Sequence, residues 1–249
     1  MKCATRQLAK NVTVDPPQAL CHRGPYAGAT GGMTRRAGPR MYLWNRVMTI
    51  RPDAFAEGSA AMAETVGYFN ANSDYDFTLW QVLLGYPVGS VAVATRFESY
   101  GPYTDAMAEL NARPETLAAT SAVGASLAAN PDDSLWQVVH TAGDASEPAN
   151  VVSNFAWQVD PDQVPASMAW AIEMATFMNG LSGTPVVVGF SQYGEPNTFR
   201  FMFGYDTIAD LEERTAVTQA DPGFAERLAA AGEIGSPRDT QTGIARRVL

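Results

Sequence analysis

Lysine, histidine and cysteine are all scarce in this chain of 249 residues, and each shortage removes a class of function. Cysteine occurs only as Cys3 and Cys21, too few and too N-terminal for a disulfide framework; even with His22 they cannot complete a four-ligand zinc site. Beyond residue 40 the one histidine is His140, so a Ser-His-Asp triad cannot be assembled without arbitrary choices. There is no Gly-x-Ser-x-Gly elbow, no Gly-x-x-x-x-Gly-Lys phosphate loop and no His-Glu-x-x-His pair. No apolar run approaches the ~18 residues of a membrane-spanning helix.

Charge is divided unevenly. Residues 1–40 hold two lysines, five arginines and one acid, a net of +6, whereas the remaining 209 hold ten arginines, no lysine and 25 acids, a net of −15. An acidic body repels phosphates, which excludes nucleic acid as a partner. The first forty residues contain Gly24-Pro25, Gly31-Gly32 and Gly38-Pro39, punctuation that breaks both helical and strand periodicity. They read as a disordered segment, or as the product of a start codon assigned upstream of Met41, where a clean strand begins. No secretory h-region is present, and a cytoplasmic location is expected.

The body is written twice. Thr49-Ile50-Arg51-Pro52-Asp53-Ala54-Phe55 is answered 109 residues later by Gln158-Val159-Asp160-Pro161-Asp162-Gln163-Val164. In both, a strand runs into Pro-Asp, where proline's fixed φ and the acid's charge suit a helix start. The helices agree in their apolar positions, Phe55, Met62, Val66 and Phe69 against Val164, Ala171, Ala175 and Met178, spacings that mark one face. Asn70 and Asn179 stand at the expected helix ends. Hairpins follow, Phe77–Gly85 and Ser90–Phe97 around Tyr86-Pro87-Val88-Gly89, then Val186–Tyr193 and Thr198–Tyr205 around Gly194-Glu195-Pro196-Asn197. A second helical region, Tyr103–Ala129 and Thr207–Ala231, and a closing strand, Leu135–Ala142 and Thr240–Val248, complete each copy. The order strand-helix-strand-strand-helix-strand is ferredoxin-like. It divides the body into units 41–146 and 147–249.

Two such units in tandem resemble the dimeric α/β-barrel superfamily in its fused form. The resemblance implies an α+β fold, with antiparallel sheets enclosing a barrel and helices outside. It implies one of several activities: cofactor-independent monooxygenases acting on quinones, cyclases, lactone isomerases and haem-binding chlorite dismutase-like proteins share the superfamily with NIPSNAP-like and stress-related members. A haem protein of this kind takes an axial histidine from the second unit, which has none, so neither haem nor any other cofactor is expected.

Strand alternation nominates an interior. Val93, Thr95 and Phe97, with Phe199, Phe201 and Phe203, form an apolar row suited to packing under helices. The opposite rows carry Ala92, Ala94, Arg96 and Thr198, Arg200, Met202. In the first strands Asn45, Val47 and Thr49 match Asn154, Ala156 and Gln158. Arg96, Arg200, Asn45, Asn154 and Gln158 would hold an oxygen-rich ligand, as fixed cationic and amide donors do. A strand arginine is otherwise a sheet-margin residue or an acid's partner. His140 follows Trp136 and Val138 and is either a packing residue or the acid-base catalyst. Four Trp-amide neighbours, Trp44-Asn45, Trp80-Gln81, Trp136-Gln137 and Trp157-Gln158, suggest an aromatic cavity, or the ordinary strand preference of aromatics. Tyr100, Tyr103, Tyr193 and Tyr205 are placed at its mouth. Two functions remain open: an enzyme acting on a small aromatic or enolisable substrate, or a non-catalytic binding or assembly module with a packed barrel. Homo-oligomers through barrel edges are compatible with both; a membrane partner is not expected.

Overall fold

The computed structural model describes residues 40–234 and 241–249; the expectations for residues 1–39, including Cys3, Cys21 and His22, fall outside them. Strand β1 (Met41–Thr49) leads through a single 3-10 turn at Pro52–Ala54 into helix α1 (Phe55–Asn72), then β2 (Phe77–Leu84), β3 (Ser90–Phe97), α2 (Tyr100–Asn111), α3 (Pro114–Ser126) and β4 (Asp132–Ala142). The same order follows in β5 (Val151–Gln158), a 3-10 turn at Pro161–Gln163, α4 (Val164–Ser182), β6 (Val186–Tyr193), β7 (Thr198–Tyr205), α5 (Ile208–Ala220), α6 (Pro222–Ile234) and β8 (Gln241–Arg247). Each proline opens its 3-10 turn, with Asp53 or Asp162 in the first turn.

The eight strands close into one antiparallel barrel, ordered β1-β3-β2-β8-β5-β7-β6-β4. Each half forms four neighbouring strands, and the seams are β2 with β8 and β4 with β6. Every strand is therefore paired on both sides, so barrel edges, the expected route to an oligomer, do not exist here.

Helices cover the outer face. Met62 and Val66 of α1 are buried with Val93 and Phe97, and Ala171 and Ala175 of α4 with Phe199 and Phe201. Alternation on β3 and β7 thus assigns the outer rows as expected. Three details differ. Each second helical region is two helices, because Pro114 and Pro222 lack the N–H and restrict the residue before them. Asn70 and Asn179 lie inside their helices and are not left-handed. Asn70 donates to the Phe77 carbonyl and accepts from its N–H (2.9 and 2.7 Å), and Asn179 donates to Thr184 (2.9 Å), tying each helix to the strand that follows. Finally, the β4–β6 seam carries two bulges, one on β6 at Gln192, opposite Leu135 and Trp136, and one on β4 between Val138 and His140.

Candidate functional site

The inner faces of the strands enclose a cavity of about 560 Å³. On β1 and β5 the inward row includes Asn45 and Val47, with Val152 and Asn154; on β3 and β7 it includes Ala92, Ala94 and Arg96, with Arg200 and Met202. Four of the five nominated binding residues, Asn45, Asn154, Arg96 and Arg200, therefore share one space. Gln158 does not: it lies past the end of the inward row, and its amide donates to the Pro196 carbonyl in the β6–β7 hairpin (3.1 Å).

His140 is also elsewhere. Strict alternation after Trp136 and Val138 would turn it inward, but Val139 is the extra residue of a bulge, pairing passing from Val138↔Gly189 to His140↔Val188. The imidazole faces outward instead, its Nε2 3.0 Å from the Thr176 hydroxyl on α4. Of the two readings of His140, this geometry is that of the packing residue, a helix-to-strand contact.

The two arginines serve different ends. Arg200 stacks on the indole of Trp136, 4.4 Å from the ring centroid. Burial pushes its pKa down, while Tyr86, Glu195 and Asp132 oppose the shift, Tyr86 also through a hydrogen bond. Those three belong to the β2–β3 hairpin, the β6–β7 hairpin and the start of β4, one end of the barrel. Arg96 is anchored at the other end, where Nη1 donates to the Ala145 carbonyl (2.5 Å) in the β4–β5 connection. Its guanidinium reaches solvent at the rim; burial among the flanking strands still lowers its pKa, and Glu147 counters. That connection, residues 144–149, and the residues 74–76 before β2 form the rim and carry Asp74, Asp76, Asp144 and Glu147.

Tyr86 is the site residue that strand alternation could not find, because it sits in a turn. Its ring enters the barrel by lying against Gly243 on β8, where any Cβ would collide with the ring. Tyr75 lines the rim. The tyrosines expected at the mouth are not there: Tyr103 is buried against Phe97 (centroids 4.0 Å apart), Tyr100 packs on Tyr42, Tyr205 is buried with Val151 and Leu211, and Tyr193 is exposed. The Trp-amide pairs do not share a polarity either. Trp80 and Trp136 line the cavity, whereas Trp157 lies under α4, edge-on to Trp170 (4.6 Å), and Trp44 packs with the α1-side core.

Asn154 Oδ1 is buried and has no hydrogen-bond partner among the described residues, so it can accept from a ligand. The chemistry on offer is an aromatic-walled pocket with one guanidinium, Arg200, inside it, where an oxyanion can be met, and four carboxylates at its rim. No histidine lines it among the described residues, so a histidine-ligated haem does not fit. No group of three or more metal-ligating side chains occurs among those residues either, and none of their helices is long and apolar enough to cross a membrane.

No protein-family model matches the sequence, and no curated protein matches it. The fold has relatives among solved structures. A Fusobacterium nucleatum protein named "putative monooxygenase" aligns over 86% of this chain and 94% of its own, with 8% identity and a TM-score of 0.65. A Lactobacillus acidophilus protein of the same name aligns over 84% and 94%, with 11% identity and a TM-score of 0.59. An anthrone oxidase-like protein aligns over 85% and 92%, with 15% identity and a TM-score of 0.56. At these identities the likeness is one of fold.

Proposed function

We propose that this chain, whose fold is that of the dimeric α/β-barrel proteins, binds a planar, oxygen-bearing aromatic molecule inside the barrel and oxidises it as an enolate without a metal or organic cofactor. The observation that carries this function is the meeting of Arg200, Tyr86 and Asn154 beside the Trp136 ring, in a cavity of about 560 Å³. That volume lies within the roughly 300–1,000 Å³ usual for small-molecule sites. A barrel packed solid does not accord with it.

The chemistry follows from the donors. A methylene conjugated with a ketone through the flanking aromatic rings, as in an anthrone, loses a proton, and the charge that develops on the ketone oxygen is met by the Arg200 guanidinium and the Tyr86 hydroxyl. With His140 outside, the proton passes to a rim carboxylate such as Asp76 or Glu147, or to water. The enolate carbon adds dioxygen, and the resulting hydroperoxide loses water to leave a second ketone. In balance, the methylene carbon gives up both hydrogens and gains one oxygen atom of the dioxygen, and the other oxygen atom leaves with those hydrogens as water. The names of the fold relatives, monooxygenase and anthrone oxidase-like, agree with such a reaction. The placement of carboxylates at the rim alone favours a second reading, a binding module with no turnover.

Dioxygen uptake with 1,8-dihydroxyanthrone separates the two. The oxidase consumes one dioxygen per ketone formed, and Arg200→Met loses that activity with a melting temperature shifted by no more than about 5 °C. Binding of the corresponding anthraquinone without any uptake leaves the binding module.

A further inference from the structure

Because the fold is written twice, each half is a control for the other, and on the helix side of the sheet the two are filled differently. Strand pairing makes Ser153, opposite Phe203 and Ile244, the equivalent of Trp44, opposite Thr95 and Leu135. Shared hydrogen bonds fix three more pairs. The Tyr75 N–H donates to the Ser73 hydroxyl as that of Thr184 does to Ser182. The Tyr103 N–H donates to the Ser99 carbonyl as that of Leu211 does to Thr207, and the Leu110 carbonyl accepts from Arg113 as that of Thr218 does from Asp221. On the same helices Met107 then answers Thr215.

In the first half these positions are full. Trp44, Tyr75, Tyr103 and Met107 belong to one packed cluster, the Tyr103 ring lying against Phe97 (4.0 Å) and Tyr75 (5.2 Å), and Leu110 is buried. In the second half the five positions hold Ser153, Thr184, Leu211, Thr215 and Thr218. All five line a pocket of about 500 Å³ between the outer faces of β5 and β8 and helices α4, α5 and α6. Three exchanges run the other way, Phe155, Phe203 and Phe224 for Arg46, Thr95 and Thr116; they give the pocket aromatic walls and do not fill it. The paired backbones of β5 and β8 stand between this pocket and the barrel interior, with Asn154, Phe203 and Ile244 bordering both.

None of the described side chains that line the pocket is charged, so an ion entering it would lose hydration without gaining a partner. Hydroxyls supply the polarity. Thr218 gives its proton to the Arg214 carbonyl (2.9 Å), which leaves its oxygen as an acceptor. We infer that the second half carries a second ligand site, outside the barrel, for an uncharged and largely apolar molecule that bears a hydroxyl group. The volume lies within the roughly 300–1,000 Å³ usual for such sites. Nothing in this inference depends on the chemistry proposed for the interior.

The test is equilibrium dialysis of the full chain at pH 7 against 1-hydroxypyrene, with excess anthraquinone-2-sulfonate present to occupy the interior. 1-Hydroxypyrene binds, and pyrene, which lacks the hydroxyl, binds about two- to tenfold more weakly. Ser153→Trp and Thr215→Met restore the first half's occupants. The first weakens 1-hydroxypyrene about tenfold or more and the second about threefold or more, as lost room does in an apolar pocket. Thr215 is a half-buried helix position, so its variant carries the test if the tryptophan is not tolerated. Val217→Met, on the exposed side of α5, changes binding by less than about twofold. Weakening confined to the two pocket variants upholds the site whether or not the sulfonate binds inside the barrel. No binding of 1-hydroxypyrene, binding unchanged in both pocket variants, an equal loss in Val217→Met, or pyrene bound as tightly as its hydroxy derivative overturns the inference.

Discussion

Replacing Arg200 with methionine separates what the guanidinium does for the fold from what it does for a ligand. Within the chain its favourable contacts include the Trp136 face, worth about 0.5–2 kcal/mol as a cation–π pair, the hydrogen bond with Tyr86 and the charges of Glu195 and Asp132. Against these stands the cost of keeping a charge among buried strands, the cause that pushes its pKa down. Methionine fills similar volume without that cost, so the net change in stability is within about 1.5 kcal/mol, or roughly 5 °C in melting temperature for a body of this size. A bound oxyanion, by contrast, loses a charge-assisted hydrogen bond of about 1.5–3 kcal/mol, which is roughly 10- to 150-fold in Kd. Scanning calorimetry and titration with anthraquinone-2-sulfonate measure both. A fall of more than about 10 °C with affinity retained would refute the assignment of Arg200 to the ligand and make it a structural residue.

Three further outcomes follow from the same geometry. Gly243→Ala drives a Cβ into the Tyr86 ring; it costs about 1–3 kcal/mol and weakens anthraquinone-2-sulfonate binding, and unchanged melting and binding would show that the ring does not rest there. Asp133→Asn breaks the two-point pair with Arg46 (2.6 and 2.7 Å); with both side chains over 40% exposed, it costs at most about 1 kcal/mol and less at high salt, as denaturant titration will report. Burial first, with Tyr42 and Tyr193 adding, pushes the Tyr100 phenol up from 10.0 to about 12. A raised phenol pKa stabilises the fold fully below the unfolded value and loses that contribution as pH rises through the folded one, so denaturation curves should show stability falling between about pH 10 and 12. Tyr100→Phe lessens that fall, to which the Tyr103 phenol, also pushed up by burial, contributes; a slope unchanged in the variant would contradict the assignment.

Legibility in the sequence followed regularity. Alternation on β1, β3, β5 and β7 placed Asn45, Arg96, Asn154 and Arg200 on one face because those strands run without interruption. It misplaced His140 because a bulge shifts parity by one residue, and nothing in Val138-Val139-His140 marks where pairing slips. The tryptophans divided between cavity and helix side for a related reason: Trp-amide adjacency fixes opposite faces but not which face is inside. Tyr86 was hidden because its position depends on Gly243, distant in sequence and adjacent only once the barrel closes. The breaks at Pro114 and Pro222 are legible in the sequence, since proline after Arg113 or Asp221 is a stop signal.

The proposed function depends on the barrel interior being a ligand site organised by Arg200. A crystal structure of the chain soaked with anthraquinone-2-sulfonate decides that point. The expected result is the probe inside the barrel, with its sulfonate oxygens on the Arg200 guanidinium. A probe bound only on the outer surface, or an interior closed by side chains, would contradict it.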